Sequence, residues 1–201
     1  AEKSEIEKLT IGLSSNAQAL MQVFWPGPLT MVVPKSDIIP DEVSAGLDTV
    51  AVRMPVHPVA RRLIALAGCP IAAPSANKSG KPSPTNAQDV LEDMDGLIAG
   101  VIDGGSSNIG VESTVVDTTA PVPVILRPGG ITKEMLEEVL GVVEIDPALA
   151  GNSECKPKAP GMKYRHYAPQ APMYLFIGEE APAQMKAAIA KCLASGKKIG
   201  V

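Results

Sequence analysis

With 201 residues and a net charge of −4, the chain is long enough for one full domain and something more. Its residues are 45% apolar, enough for a sizeable core, and the 20% that are charged keep it soluble. The negative charge argues against nucleic acid held mainly by bulk electrostatics, and 3% aromatics is thin for stacking bases along a strand.

In chain order, Ser15 to Phe24 has helical spacing, with Ala17, Leu20, Met21 and Phe24 on one face and Ser15 with Gln18 as a capping box. Trp25-Pro26-Gly27-Pro28 ends it, since proline cannot continue the ladder. Strands follow at Leu29–Val33 and Thr49–Met54, each closed by a proline. His57-Pro58 opens a short helix that Gly68 caps. Pro70–Ala73 reads as a short strand emptying into the polar loop Pro74 to Thr85. Thr85 with Gln88 caps a helix to about Met94, and Leu97–Ile102 reads as a strand. Strands Ser113–Asp117 and Val122–Arg127, joined by a short turn, pair antiparallel. A helix runs from Thr132 to Leu140 under a Gly141 cap. The expected architecture is a mixed sheet with helices packed on it.

Periodicity fades from about residue 148 to 172, which marks a linker after a first domain at 1–147. Strand Met173–Gly178, helix Pro182–Ala194 and a strand beginning at Lys198 then read as the start of a parallel α/β domain at 173–201. The chain starts at Ala1 and stops at Val201 within an apolar run, so it reads as a piece cut at both ends.

Three scattered cysteines, Cys69, Cys155 and Cys192, form no Cys-x-x-Cys pair and suit a reducing cytosol. His57 and His166 are the only histidines, which excludes a histidine-rich metal centre, and no apolar run reaches membrane-spanning length. Gly105 and Gly110 have P-loop spacing, but Val111-Glu112 stand where Lys-Ser/Thr is needed, so no P-loop forms.

What remains is a set of small polar and cationic residues at strand ends. Ser75, Asn77 and Ser79 lie in a proline-stiffened loop that suits a base edge, ribose or phosphate. Arg53 and Arg127 end strands, where a guanidinium can clamp a carboxylate or phosphate. Ser113 and Thr114 begin a strand at another ligand-facing position. Each residue alone is also ordinary turn or surface chemistry; together, with no nucleophile–base pair, they describe a site that works by positioning. Asp103, Glu112 and Asp117 are either magnesium ligands or solvated strand ends. The run Lys163-Tyr164-Arg165-His166-Tyr167 is either a lid over a nucleotide or a packed linker.

Five segments carry a resemblance: Phe24–Thr30, Ala51–Pro55, Ala73–Gly80, Glu112–Asp117 and Leu126–Gly129. They resemble, in order, the YrdC-like family of threonylcarbamoyl-adenylate synthases in its two-domain form. The segment Pro160 to Pro169 resembles the linker of that form. The resemblance implies an α+β fold: a YrdC-like twisted mixed sheet flanked by helices, then a linker and the start of a small parallel, Rossmann-like domain. It implies condensation of L-threonine, bicarbonate and ATP, with Mg²⁺, into L-threonylcarbamoyl-AMP and pyrophosphate in the cytoplasm. The product would pass to a downstream tRNA-modifying transferase complex.

By the same resemblance, Arg53, Ser75 and Ser113 are threonine contacts, and Thr49, Asn77, Thr85, Arg127, His166 and Tyr167 nucleotide contacts. No catalytic nucleophile is implied. Intact members carry a Lys-x-Arg segment upstream that this chain lacks, so the 201 residues alone are expected to be poorly active. The competing readings are a carbamoyl-transferring domain of the hydrogenase-maturation kind, and an RNA-binding module using Lys156, Lys158, Lys163 and Arg165.

Overall fold

A computed structural model describes residues 3–150 and 171–200. The chain divides into two compact units, residues 1–168 and 169–201. The first begins with a short 3-10 turn at Lys3–Lys8 and helix α1 (Ser15–Phe24). The cap of α1 is Ser14 rather than Ser15: its hydroxyl accepts from Ala17 N at 3.1 Å and donates to Thr118 O at 3.0 Å. Gln18 takes no part in a capping box, since its side chain turns to Leu13 O.

Strands β1 (Leu29–Pro34) and β2 (Thr49–Arg53) follow, separated by a one-turn helix α2 (Asp41–Ser44) behind Pro40. Helix α3 (Pro58–Ala67) has proline in its first turn and Gly68 at φ +67° as its C-cap. Helix α4 (Ala87–Met94) is capped by Asn86, whose side chain accepts from Asp89 N, not by Thr85. Strands β3 (Thr114–Asp117) and β4 (Val124–Arg127) precede helix α5 (Lys133–Leu140), capped by Thr132, and a two-residue strand β5 (Glu144–Ile145).

The sheet order is β2-β1-β3-β4-β5. β1 pairs antiparallel with β2 and parallel with β3, β3 antiparallel with β4, and β4 parallel with β5, so the sheet is mixed as expected. One face carries the main core. Leu29, Met31, Val33, Val116 and Ile125 meet Ala17 and Leu20 of α1 and Leu136 of α5. The alternation of strand side chains sends Val32, Val115 and Leu126 to the other face, where they form a smaller cluster.

Two predicted strands do not form. Pro70–Ala73 and Leu97–Ile102 pair with nothing among the described residues, and Leu97 is 71% exposed. A short apolar run is a strand only where a neighbouring strand takes its hydrogen bonds, and periodicity alone does not report a partner. In the second unit α6 (Ala181–Ala194) forms as expected, one residue earlier than its predicted start. Met173–Gly178 and Lys198–Gly200 join no ladder among the described residues, and Met173, Leu175 and Ile177 stay exposed.

The interaction that ties the sheet to its loops is at Thr114, fully buried at 0% exposure. Its Oγ1 donates to Ile131 O at 2.7 Å and accepts from Ile131 N at 3.0 Å. Its own amide donates to Pro28 O at 3.0 Å, and Gly27 N donates to Met54 O at 2.9 Å. The Trp-Pro-Gly-Pro turn, with a cis Trp25–Pro26 bond, thus bridges the end of β2 and the start of β3. Thr114 is therefore a structural residue, and the ligand-facing expectation for it is corrected. Thr114→Val should cost about 2–4 kcal/mol, because it leaves both Ile131 backbone groups buried without partners. Thr114→Ser keeps the hydroxyl and should cost under about 1 kcal/mol. Denaturant unfolding of the two variants checks this; equal losses would remove the hydroxyl from the explanation.

Candidate functional site

The polar end of the smaller-cluster face gathers three of the predicted residues. Cross-strand register sets Thr30 opposite Arg53, and Val115 opposite Arg127 with a bulge beside it. Directly opposed residues share a face, and alternation puts Ser113 on the face of Val115. Ser113, 7% exposed, is gripped from both sides. Arg127 Nε and Nη2 donate to its carbonyl at 3.1 and 2.9 Å, and Nη2 also donates to its Oγ at 3.1 Å. From β1, Thr30 Oγ1 lies 2.7 Å from Ser113 Oγ. Thr30 went unrecognised as a site residue because an interior strand threonine carries no local signal; only the pairing of β1 with β3 brings it to Ser113.

Donor counting shows what this cluster can still do. Arg127 engages Nε and Nη2 on Ser113, so among the described residues its Nη1 amine is left for an anion. If Thr30 donates to Ser113 Oγ, both lone pairs of that oxygen are taken, by Thr30 and Arg127, and its O–H is released toward a ligand acceptor. The neighbouring charges suit such an acceptor. Partial desolvation, and then the like charge of Arg127, hold the Arg53 pKa below the ordinary arginine value, although much of its side chain stays exposed. Two guanidiniums thus flank a hydroxyl, an arrangement that can read an anion.

Gly129 is the residue that allows this packing. A Cβ there would stand 2.4 Å from Glu112 O and from Thr114 N, and 2.7 Å from Ser113 C. All three are backbone atoms, so a side chain at 129 displaces Ser113 itself.

The other predicted residues lie elsewhere. Thr49 opens β2 opposite Pro34, on the face of Arg53 and about 13 Å along the strand. Ser75 is exposed in the loop after α3, and Asn77 is half-buried in it. Asn77 Nδ2 donates to Lys78 O and Lys81 O, both at 3.0 Å, while Oδ1 is shut from solvent with no partner among the described residues. Asp93 on α4 holds the same loop, accepting from Lys78 N at 3.1 Å and pairing with Lys81 Nζ. Thr85, just before the Asn86 cap, accepts from Ser107 N at 2.7 Å beside a shallow cleft toward Asp103, Gly104 and Gly105. Among the described residues no hydrogen bond joins this loop to Ser113 or the arginines. His166 and Tyr167 lie outside the described residues, as do Lys156, Lys158, Lys163 and Arg165.

Two of the three acidic magnesium candidates serve turns. Asp103 Oδ1 accepts from Gly105 N, and Asp117 Oδ1 from Thr119 N and Oγ1. Among the described residues no three His, Cys, Asp or Glu side chains converge into a metal cage. His57 opens α3 and bonds Gly104 O through Nε2 at 3.1 Å, which is loop support.

A mixed sheet flanked by helices, with hydroxyl and guanidinium groups at its strand ends, defines an α+β domain with a polar, cationic corner. The chain belongs to the Sua5/YciO/YrdC family: the model of that family, described as "Telomere recombination", matches residues 1–129. A second model, described as "Threonylcarbamoyl-AMP synthase, C-terminal domain", matches residues 131–201. The threonylcarbamoyl-AMP synthase of Pyrococcus abyssi is 52% identical over 199 residues, covering 98% of this chain. That of Bacillus subtilis is 52% identical over 202 residues, covering 100% of it. The chain spans 58% of the length of each. A crystal structure of P. abyssi Sua5 complexed with L-threonine superposes with a TM-score of 0.89 at 50% identity, over 98% of this chain and 59% of that one. E. coli YciO shares the fold over 64% of this chain and 63% of its own, with a TM-score of 0.58 at 21% identity.

Two predictions follow from the geometry. Gly129→Ala should cost about 1–3 kcal/mol and move the amide resonances of residues 112–114, since overpacking here meets only backbone. Unmoved resonances would contradict the close approach. The second concerns Asp93, whose carboxyl is held below the usual range first by the Lys81 hydrogen bond and then by the Lys78 amide. A depressed folded pKa means the clamp is present above the ordinary carboxylate value and is lost as pH falls through the lowered one. Hydrogen exchange at the Lys78 amide should therefore stay protected at pH 5 and gain speed, relative to the intrinsic rate, only below about pH 4. Protection lost already at pH 5 would contradict it.

Proposed function

We propose that the full-length protein condenses L-threonine, bicarbonate and ATP into L-threonylcarbamoyl-AMP, releasing pyrophosphate. The observation that carries this reading is the anion-reading corner of Arg53, Ser113 and Arg127, in a chain whose relatives are threonylcarbamoyl-AMP synthases and one of whose structural neighbours was crystallised with L-threonine. The match of residues 131–201 to the C-terminal domain of such synthases favours threonine over a carbamoyl-transferring or RNA-binding role.

The chemistry needs alignment more than reactivity. Threonine nitrogen attacks the carbon derived from bicarbonate, water leaves, and a carbamate forms. A carbamate oxygen then attacks the α-phosphorus of ATP, and the bond to pyrophosphate breaks. Fixed donors suit both steps, because negative charge is brought together and redistributed without a covalent enzyme intermediate. Arg53 is assigned to the threonine carboxylate, with the Ser113 O–H and Ser75 beside it. Arg127 Nη1 is assigned to phosphate or ribose, Asn77, Thr85 and Thr49 to the rest of the nucleotide, and His166 with Tyr167 to its cover. Magnesium would enter with ATP; the described carboxylates do not converge into a cage for it.

The product would serve a transferase that modifies adenosine in tRNA, in the cytosol. The free thiols Cys69 and Cys192 are consistent with that compartment, and no helix among the described residues is long and apolar enough to cross a membrane.

Full-length protein should release pyrophosphate only when threonine and bicarbonate are both present. Arg127→Ala should lower kcat/KM for ATP about 100-fold, and Asn77→Ala about 10-fold, with smaller effects on melting temperature. Pyrophosphate release independent of threonine would overturn the assignment, and unchanged ATP kinetics in both variants would remove those residues from the site.

A further inference from the structure

Helix α4 ends against its own electrostatics. Its last turn holds Asp93 and no basic residue, where the partial negative charge of the helix C-terminus disfavours a carboxylate. Aspartate is also a poor helix former, and this one is only 7% exposed. Such a placement persists when something else compensates it, and here the compensation comes from the loop. Lys78 N donates to Oδ2 at 3.1 Å, and the Lys81 ammonium pairs with Oδ1. Between these two anchors the chain turns back on itself, with Lys81 N bonded to Lys78 O at 3.1 Å. That turn presents the carbonyls of Lys78 and Lys81 to Asn77 Nδ2.

The consequence is chemical. Both N–H bonds of the Asn77 carboxamide are spent on loop carbonyls, which also fixes the orientation of the amide. Its remaining group is Oδ1, desolvated and without a partner among the described residues. A buried acceptor in that condition is completed by a donor: an exocyclic amine, a ribose hydroxyl or an ammonium.

We propose that Asp93 is a positioning residue for nucleotide recognition, holding loop 77–81 in the shape in which Asn77 offers its oxygen to an N–H or O–H donor of the adenosine moiety. The inference rests on the reading of the protein as an ATP-using synthase. Lys81 in this arrangement is an anchor of the loop and not a phosphate ligand, because its charge is committed to Asp93.

The test is steady-state pyrophosphate release by the full-length protein, with ATP and threonine varied in turn, for Asp93→Asn and Lys81→Met. Both variants should raise the KM for ATP about 5–20-fold and leave the KM for threonine within about twofold. The double variant should be no worse than the more damaged single one, since both break one clamp. Equal changes in the two KM values, or none, would overturn the proposal. So would a damaging Lys81→Met beside a harmless Asp93→Asn, the pattern of a phosphate-binding lysine. Lys81 is exposed; if Asp93→Asn fails to fold, Lys81→Met in an Asn77→Ala background decides. It adds no loss if Lys81 acts through Asn77, and a further loss, which would overturn the proposal, if Lys81 binds phosphate. Equilibrium binding of a non-hydrolysable ATP analogue to the same variants separates the two levels. A wild type that binds nucleotide but releases no pyrophosphate defeats the activity alone; wild-type affinity in the variants defeats the role of Asp93.

Discussion

The arrangement depends on one buried hydroxyl. Thr114 bonds both backbone groups of Ile131, and those bonds hold the Pro128-Gly129-Gly130 turn against the start of β3. Gly129 then lies so close to residues 112–114 that no side chain fits between them. With the turn fixed, the strand it terminates delivers Arg127 to Ser113 from one side. The pairing of β1 with β3 delivers Thr30 from the other. A neutral, fully buried contact thus sets the geometry of a charged and partly open one. Backbone atoms and short side chains have few rotamers to lose, so the site is organised before any ligand arrives.

The two faces of the sheet divide the labour. Alternation along β1, β3 and β4 gives the α1 and α5 side the larger apolar set, which anchors the fold. The opposite side receives a small cluster of Val32, Val115 and Leu126 with the polar groups at its end. Arginines are tolerated there because strand ends keep part of each guanidinium in water. Their mutual repulsion remains as a bias toward anionic ligands. The loop held by Asp93 is a second, separately built element: it leaves an acceptor, Asn77 Oδ1, without a partner among the described residues, where the arginine corner presents cationic donors. The adenylated amino-acid derivative proposed as the product contains groups complementary to both.

Much of this was legible in the chain. Helix α1, β1, β2, α3, β3, β4 and α5 announce themselves through spacing, proline stops and glycine caps. Four of the five segments that resemble YrdC-like proteins lie at or across their ends, and the fifth, Ala73–Gly80, lies in the loop between α3 and α4. Arg53, Ser113 and Arg127 could be chosen because chemistry-bearing residues at strand ends are conspicuous. What failed has a common cause. Ser14 and Asn86 replace the expected caps by one residue each, a choice made by φ/ψ at the helix start. Pro70–Ala73 and Leu97–Ile102 have strand composition but no partner, and β5 has a partner but only two residues of signal. Thr30 and Asp93 matter through neighbours 83 residues and 12 or 15 residues away, distances over which local pattern is silent.

The most direct test is a crystal structure of the full-length protein soaked with L-threonine and a non-hydrolysable ATP analogue. The account requires the threonine carboxylate within hydrogen-bond distance of Arg53 and of the Ser113 hydroxyl, with the Thr30 and Arg127 contacts to Ser113 still in place. Ligand density lodged away from that corner, with Ser113 still sealed between Thr30 and Arg127, would contradict it.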